Sequence, residues 1–352
     1  MPSLGADMEG GTLVEWRVRP GSHVRRGDVV ALVETEKGII DIESFEEGVV
    51  ERLVVEPGTR VPVGAALALM EGEPERPERV GRVSPAARAR AAALGIDPGS
   101  VKGGGPQGVV TLEDVERAAA GAPASKAAAA PAPGGMRHAI AASMSRSKRE
   151  IPHYYLGLAL DFSAAAGWLE RYNQPRPVPE RLLASVLLIK ATARAAATSH
   201  GFNGRFGANG FEPSESVHVG VAIALRGGGL VAPAILHADQ KPLAAIMREL
   251  EDLVGRVRRG HLRSSEIVSA TLTVTSLGDE GADIVYPVIQ PPQVAIVGFG
   301  SMRTRPWVVD GRIEPRPVID ASLAADHRVT DGRLGARFLA RIRDALSLPE
   351  SL

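Results

Sequence analysis

The stretch "AADHRVTDGRLGARFL" carries the pattern His327-x-x-x-Asp331-Gly332. Imidazole titrates near neutrality, so a histidine at a strand end can take and return a proton at physiological pH. By the logic of a hydrolytic triad, Asp331 would orient it. A lone histidine in such a place is ordinarily structural. The chain contains no G-x-S-x-G elbow, which argues against a serine hydrolase. It has 0 cysteines, so any thiol chemistry must use a sulfur brought from outside. The other reactive group is Lys37 in "ETEKG" (34–38), set between the apolar runs "VVALV" and "IIDIES". Gly38 allows positive φ in a tight turn, which puts Lys37 at a hairpin tip. A turn lysine is ordinarily only solvated.

The elements that hold these groups form three blocks. With 352 residues and 44% hydrophobic content, the chain can build two or three domains with sizeable cores. Within the first block, "GTLVEWRVRPGSHVRRGDVVALVE" (11–34) aligns without gaps to "GVVERLVVEPGTRVPVGAALALME" (48–71), with 9 of 24 positions matching at an offset of 37. Matches include Val18/Val55, Pro20/Pro57, Gly21/Gly58, Val24/Val61 and Gly27/Gly64. Each half reads as short alternating strands broken by Pro-Gly and by a glycine. Residues 1–72 are therefore expected to form a small β-sandwich with pseudo-twofold symmetry, and Lys37 lies in the link between its halves.

Residues 73–81 are a Pro- and charge-rich linker. A small helical segment follows over 82–119. Ser84 and Pro85 give its first helix an N-cap and a first-turn proline, and Thr111 with Asp114 opens a second. Between them "GGGPQG" matches G-x-G-x-x-G in form only. Proline interrupts it and no βαβ unit surrounds it, so a dinucleotide site is rejected. Residues 120–135 are an Ala/Pro linker, too poor in bulky apolar residues to build a core. Residues 136–352 read as a mixed sheet with helices: a helix ending near Ile151-Pro152, a buried helix in "RLLASVLLIKATARAAATS", and strands in "SVHVGVAIALRGGGLVAPAIL", "ATLTVTSLG", "QVAIVGFGSM" and "VIDASLAADHRV". Leu243, Ile246, Met247, Leu250, Leu253, Val254 and Val257 form a packing stripe.

Lys+Arg and Asp+Glu are both 41, so net charge gives no reason to expect nucleic acid or an anionic membrane as partner. No run approaches the roughly 18 apolar residues of a membrane span. "MPSLGADMEGG" has neither a basic nor an apolar signal region, and a cytoplasmic location is expected.

The three blocks in this order resemble the dihydrolipoamide acyltransferases of 2-oxo acid and acetoin dehydrogenase complexes. "ETEKG" resembles the E-T-D-K-A-type hairpin whose lysine carries a lipoyl group. Glu36 and Gly38 depart from the commoner residues. Biotin carriers usually place methionines beside the lysine, and none is here. Residues 82–119 resemble the peripheral-subunit-binding domain, where Arg88 and Arg90 are either partner contacts or a solvated face. "IPHYYL", "TLTVTSLG", "PPQVAIVGFG" and "DHRVTDG" occur in the order of the catalytic domain, which has a chloramphenicol acetyltransferase-like α+β fold.

The resemblance implies transfer of an acyl group, most often acetyl, from lipoyl-Lys37 to coenzyme A. A free thiol has a pKa of about 8.5, so a base is needed, and His327 takes that role. Thr275 in "TVTSLG" would donate to the oxyanion, worth about 3 kcal/mol. Asp331 would be structural, paired with an arginine of the site, and Gly332 would allow tight packing there. Lipoate on Lys37 is the implied cofactor, coenzyme A the co-substrate, and no metal is called for. The implied partners are the decarboxylase and dihydrolipoamide dehydrogenase subunits. The chain would form a homotrimer whose sites lie between subunits, with larger cores built from such trimers. A non-catalytic, lipoyl-bearing scaffold is the alternative; such relatives lack the histidine.

Overall fold

The computed structural model describes residues 1, 10–35, 38–71, 136–225, 229–278 and 281–352. Lys37, the 82–119 segment with Arg88 and Arg90, and both linkers lie outside the described residues.

The repeat becomes structure. Strands β1 (Gly10–Trp16), β2 (His23–Val24) and β3 (Val29–Thr35) recur as β5 (Gly48–Leu53), β6 (Arg60–Pro62) and β7 (Ala68–Glu71), with β4 (Gly38–Glu43) between the two sets. The halves exchange strands: β1 pairs with β6 and β2 with β5, both antiparallel. Alternation sends Leu13, Ala31, Val33, Ile40, Val50 and Val61 inward, and all are buried. The turn glycines repeat as well. Gly21 and Gly58 both have φ +87°, and Gly27 and Gly64 have φ +93° and +87°, a region open to glycine at no steric cost.

The third block is built on a seven-stranded mixed sheet in the order β14-β11-β16-β17-β19-β18, with β8 also on β19. Its strands are β8 (His153–Asp161), β11 (Val219–Val221), β14 (Ala234–Ile235), β16 (Leu272–Ser276), β17 (Ala295–Phe299), β18 (Arg303–Val309) and β19 (Arg312–Asp326). The pairings β11–β16 and β16–β17 are parallel, and the others are antiparallel. Helix α1 (Met136–Glu150) ends before Pro152, whose ring disfavours helical backbone at Ile151. Helix α2 (Ser163–Asn173) follows β8, and α3 (Ala184–Ala197) is buried along most of its length. Helix α4 (Leu243–Arg258) buries Leu243, Ile246, Met247, Leu250, Leu253 and Val257, the expected stripe with Val254 at its margin. Helix α6 (Gly332–Ser347) buries Phe338, Leu339, Ile342 and Leu346, and Phe338 stacks on Phe202 at 4.5 Å.

Some elements were not anticipated. Strand β18 forms a long hairpin with β19 in which Pro306 faces Pro315. Prolines normally argue against strands, and they are tolerated because β18 is the sheet edge. The expected pair of strands around the 226–229 turn is broken into β11, β12 (Ile223–Ala224), β13 (Leu230–Val231) and β14. A hairpin of β9 (Gly204–Gly207) and β10 (Gly210–Pro213) lies beside the site. Met1–Met70 and Gly135–Leu352 lie in one compact unit. They meet where β15 (His261–Arg263) adds in parallel to β4, just before the short helix α5 (Ser264–Val268).

The matched turns give a prediction. No atom lies within 4 Å of a Cβ built at Gly21 or Gly58, so substitution there costs only backbone strain. Gly21→Ala and Gly58→Ala should each destabilise the carrier block by about 1–2 kcal/mol, equally within error in denaturant titrations.

Candidate functional site

His327 sits in the turn between β19 and α6. Its N–H donates to the Pro152 carbonyl at 3.0 Å, and its ring meets the Tyr154 ring edge-on at 5.1 Å. The residue is exposed, and neither ring nitrogen has a hydrogen-bond partner among the described residues. His153, the other histidine nearby, is differently placed. Its Nε2 accepts from the Ile289 N–H at 3.1 Å, which leaves Nδ1 to donate to the Ile151 carbonyl at 2.8 Å. Burial lowers the pKa of this ring. His153 is a neutral strut, and His327 is the imidazole with free nitrogens.

The turn is held by residues on either side of His327 that sequence reasoning passed over. Asp326 is fully buried, and Arg328 reaches both of its carboxylate oxygens, with contacts of 2.9, 3.1 and 2.6 Å. The Arg328 N–H also donates to Asp326 Oδ1 at 2.9 Å. The hydrogen bond to Asp326 raises the pKa of Arg328 further. The guanidinium lies 3.9 Å over the Phe206 ring of β9, a cation–π contact. Around the same turn, Tyr154 and Thr330 share a hydroxyl hydrogen bond of 2.9 Å, and burial raises the Tyr154 pKa. The sequence carries no signal for the pair: Asp326 ends β19 and Arg328 lies in the turn, so strand alternation does not link them.

Asp331 does not orient His327. Its Oδ1 accepts from the Leu334 N–H at 2.9 Å and caps α6. The expected arginine partner goes to Asp326 instead, because that carboxylate is buried and Asp331 is exposed. Gly332 is also corrected: a Cβ there would meet nothing within 4 Å. Close packing belongs to Gly335, where a Cβ would lie 2.7 Å from Leu156 Cδ1 and 3.0 Å from the Tyr154 hydroxyl oxygen.

Thr275 is half-buried on β16, and its hydroxyl has no partner among the described residues. It registers with Gly298 of β17, which registers with Ser322 of β19. His327 is thus two strands across and five residues along from Thr275. At about 3.3 Å per residue and 4.8 Å per strand, they stand roughly 19 Å apart within one chain. That is far beyond the roughly 3 Å of a hydrogen bond. One chain does not bring them together.

Residues 129–352, more than half of the chain, match the family described as 2-oxoacid dehydrogenases acyltransferase (catalytic domain). The chain belongs to the 2-oxoacid dehydrogenase acyltransferase family. It is an acyltransferase. Residues 1–70 match the biotin/lipoyl family described as "Biotin-requiring enzyme", and 82–116 match the e3 binding domain. This acyltransferase is 27% identical over 429 residues to the dihydrolipoyllysine-residue acetyltransferase component of the Zymomonas mobilis pyruvate dehydrogenase complex, covering 99% of this chain and 97% of that one. A probable dihydrolipoamide acetyltransferase from Listeria monocytogenes is similar in structure, with TM-score 0.57 and 29% identity, covering 63% of this chain and 95% of that one. The cubic core of a pyruvate dehydrogenase multienzyme complex gives TM-score 0.56 and 28% identity over 60% of this chain and 88% of that one. Among the described residues of the acyltransferase, no helix is long and apolar enough to cross a membrane.

The carrier hairpin fits a covalent arm. Thr35 pairs with Gly38, and Thr35 Oγ1 donates to the Gly38 carbonyl at 3.0 Å. Glu36 and Lys37 are then the two residues that connect the paired strands.

Two outcomes test this geometry. Gly335→Val should destabilise by about 1–3 kcal/mol through overpacking, while Gly332→Ala, in open space, should be neutral or stabilising; differential scanning calorimetry separates them. Lysine cannot bind a carboxylate with two parallel N–H groups. Arg328→Lys should therefore keep the fold by circular dichroism yet lower acyl-transfer kcat by about 10-fold to 10²-fold through misplacement of His327.

Proposed function

We propose that the chain is the acetyltransferase of a pyruvate dehydrogenase-type complex, moving an acetyl group from a lipoyl arm on Lys37 to coenzyme A. The observation that carries this reading is His327, exposed with free ring nitrogens on a turn locked from beneath by Asp326 and Arg328. The acetyl choice is supported by relatives that run the length of the chain and are named acetyltransferases.

A lipoyl arm on Lys37 supplies the acyl thioester, and coenzyme A supplies the accepting thiol. His327 takes the thiol proton at a ring nitrogen as sulfur attacks the carbonyl carbon, then gives a proton to the departing sulfur. The Thr275 hydroxyl donates to the carbonyl oxygen as negative charge grows there. Because the two lie roughly 19 Å apart in one chain, Thr275 comes from a second copy. This reading therefore requires an oligomer and accords with a trimer. Asp331 contributes by starting α6, not by touching substrate. Residues 82–119 would anchor the dihydrolipoamide dehydrogenase or the decarboxylase. A cytoplasmic location goes with this reading.

His327→Ala should lower transfer from acetyl-dihydrolipoamide to coenzyme A by about 10²–10⁴-fold, with oligomer size unchanged by light scattering. Lys37→Arg should abolish lipoylation by mass spectrometry yet leave transfer to free dihydrolipoamide intact. Near-normal turnover of His327→Ala would remove the histidine as the base, and inactivity of the unsubstituted chain and the variant alike would return the chain to the scaffold reading.

A further inference from the structure

We propose that His261–Arg263 is a docking edge for the chain's own carrier domain, which adds β4 to it and so parks the arm-bearing hairpin on the transferase surface. The inference rests on the carrier reading of residues 1–70. Three residue pairs are in parallel register: Ile39 with His261, Ile40 with Leu262 and Asp41 with Arg263. The Ile39 N–H donates to the Gly260 carbonyl at 3.1 Å. At the other end, the Glu43 N–H donates to Ser264 Oγ and the Ser265 N–H to Glu43 Oε2, both at 3.3 Å. Ile40 and Leu262, paired at the centre, are 0% and 1% exposed, and Ser264 is fully buried.

Gly38 links this seam to the arm. It directly follows Lys37, has φ +112°, and would place a Cβ 3.0 Å from the Gly260 carbonyl oxygen. The alanine common at this position in such hairpins would press on that oxygen. The departure to glycine is thus explained by the close approach of the two backbones.

Strand addition gives affinity through main-chain bonds, and an edge of three residue pairs makes a weak dock. Weakness suits it. Segment 71–134 tethers the domain, and a tether of this kind gives an effective concentration approaching millimolar. A contact too weak to hold a free domain is then occupied in cis and still releases. Docked, the strand that follows Lys37 is covered; released, it is exposed to the partner enzymes.

The chain has no cysteine of its own, so paired cysteines read the dock directly. Asp41→Cys with Arg263→Cys, treated with dibromobimane while the arm is oxidised, should form a fluorescent thioether bridge within one chain. Arg52→Cys with Arg263→Cys, which puts the first thiol on β5, should not. The bridged chain should keep transfer between acetyl-coenzyme A and free dihydrolipoamide, and should lose about 10-fold or more in reductive acetylation of its own arm by the decarboxylase as the tethered domain is withdrawn. Equal bridging of both pairs, bridges between chains, or undiminished arm loading would each overturn the proposal. Transfer to free dihydrolipoamide by the unsubstituted chain reports separately on the acyltransferase reading.

Discussion

A carboxylate with no access to water must be met by a cation, and the Asp326–Arg328 pair is where this chain meets that demand. Removing one partner of such a pair costs about 3–5 kcal/mol, because the remaining charge stays buried. The bond ties the last residue of β19 to the second residue of the turn. Asp326 also gives its N–H to the Val294 carbonyl and takes the Val329 and Thr330 N–H groups at its own carbonyl. Strand end, turn and the approach to α6 therefore hang from one residue. His327, between the charged pair, has little freedom except at its side chain.

Around that point the sheet distributes roles. β19 is paired with β17, β18 and β8, and next to His327 it is braced on both sides by β17 and β8. A proton-transfer group needs such a mount, because small misplacements cost rate. Thr275 stands on β16, in the same sheet but far from His327. A rigid sheet fixes that separation, so under the proposed function the site would be completed by association and not by folding alone.

Much of this was legible in the sequence. The 37-residue repeat placed the carrier strands and their positive-φ glycines. Helical periodicity identified α4, whose apolar stripe faces the core. What stayed hidden has identifiable causes. Pro306 in β18, with Pro315 and Pro317 in the first part of β19, masks this hairpin from any rule based on strand preference. β15 is short, and it is a strand only because the distant β4 lies beside it. Asp326 and Arg328 read as ordinary charges in "ADHRV"; burial of one of them gives the pair its weight, and burial is a tertiary fact. Gly332 and Gly335 cannot be told apart until the neighbours of each are known.

The strand exchange in the carrier domain also constrains how it is made. Because β1 needs β6 and β2 needs β5, neither half can close its own sheets. Sequence-distant contacts of this kind slow folding. On the ribosome β1 can pair with β3, but the other edge of β1, and β2, must wait until the second half has emerged. The lysine lies in the link between the halves, so its finished hairpin is presented only once the whole sandwich exists. An enzyme that reads the folded tip would therefore modify completed domains and pass over truncated ones.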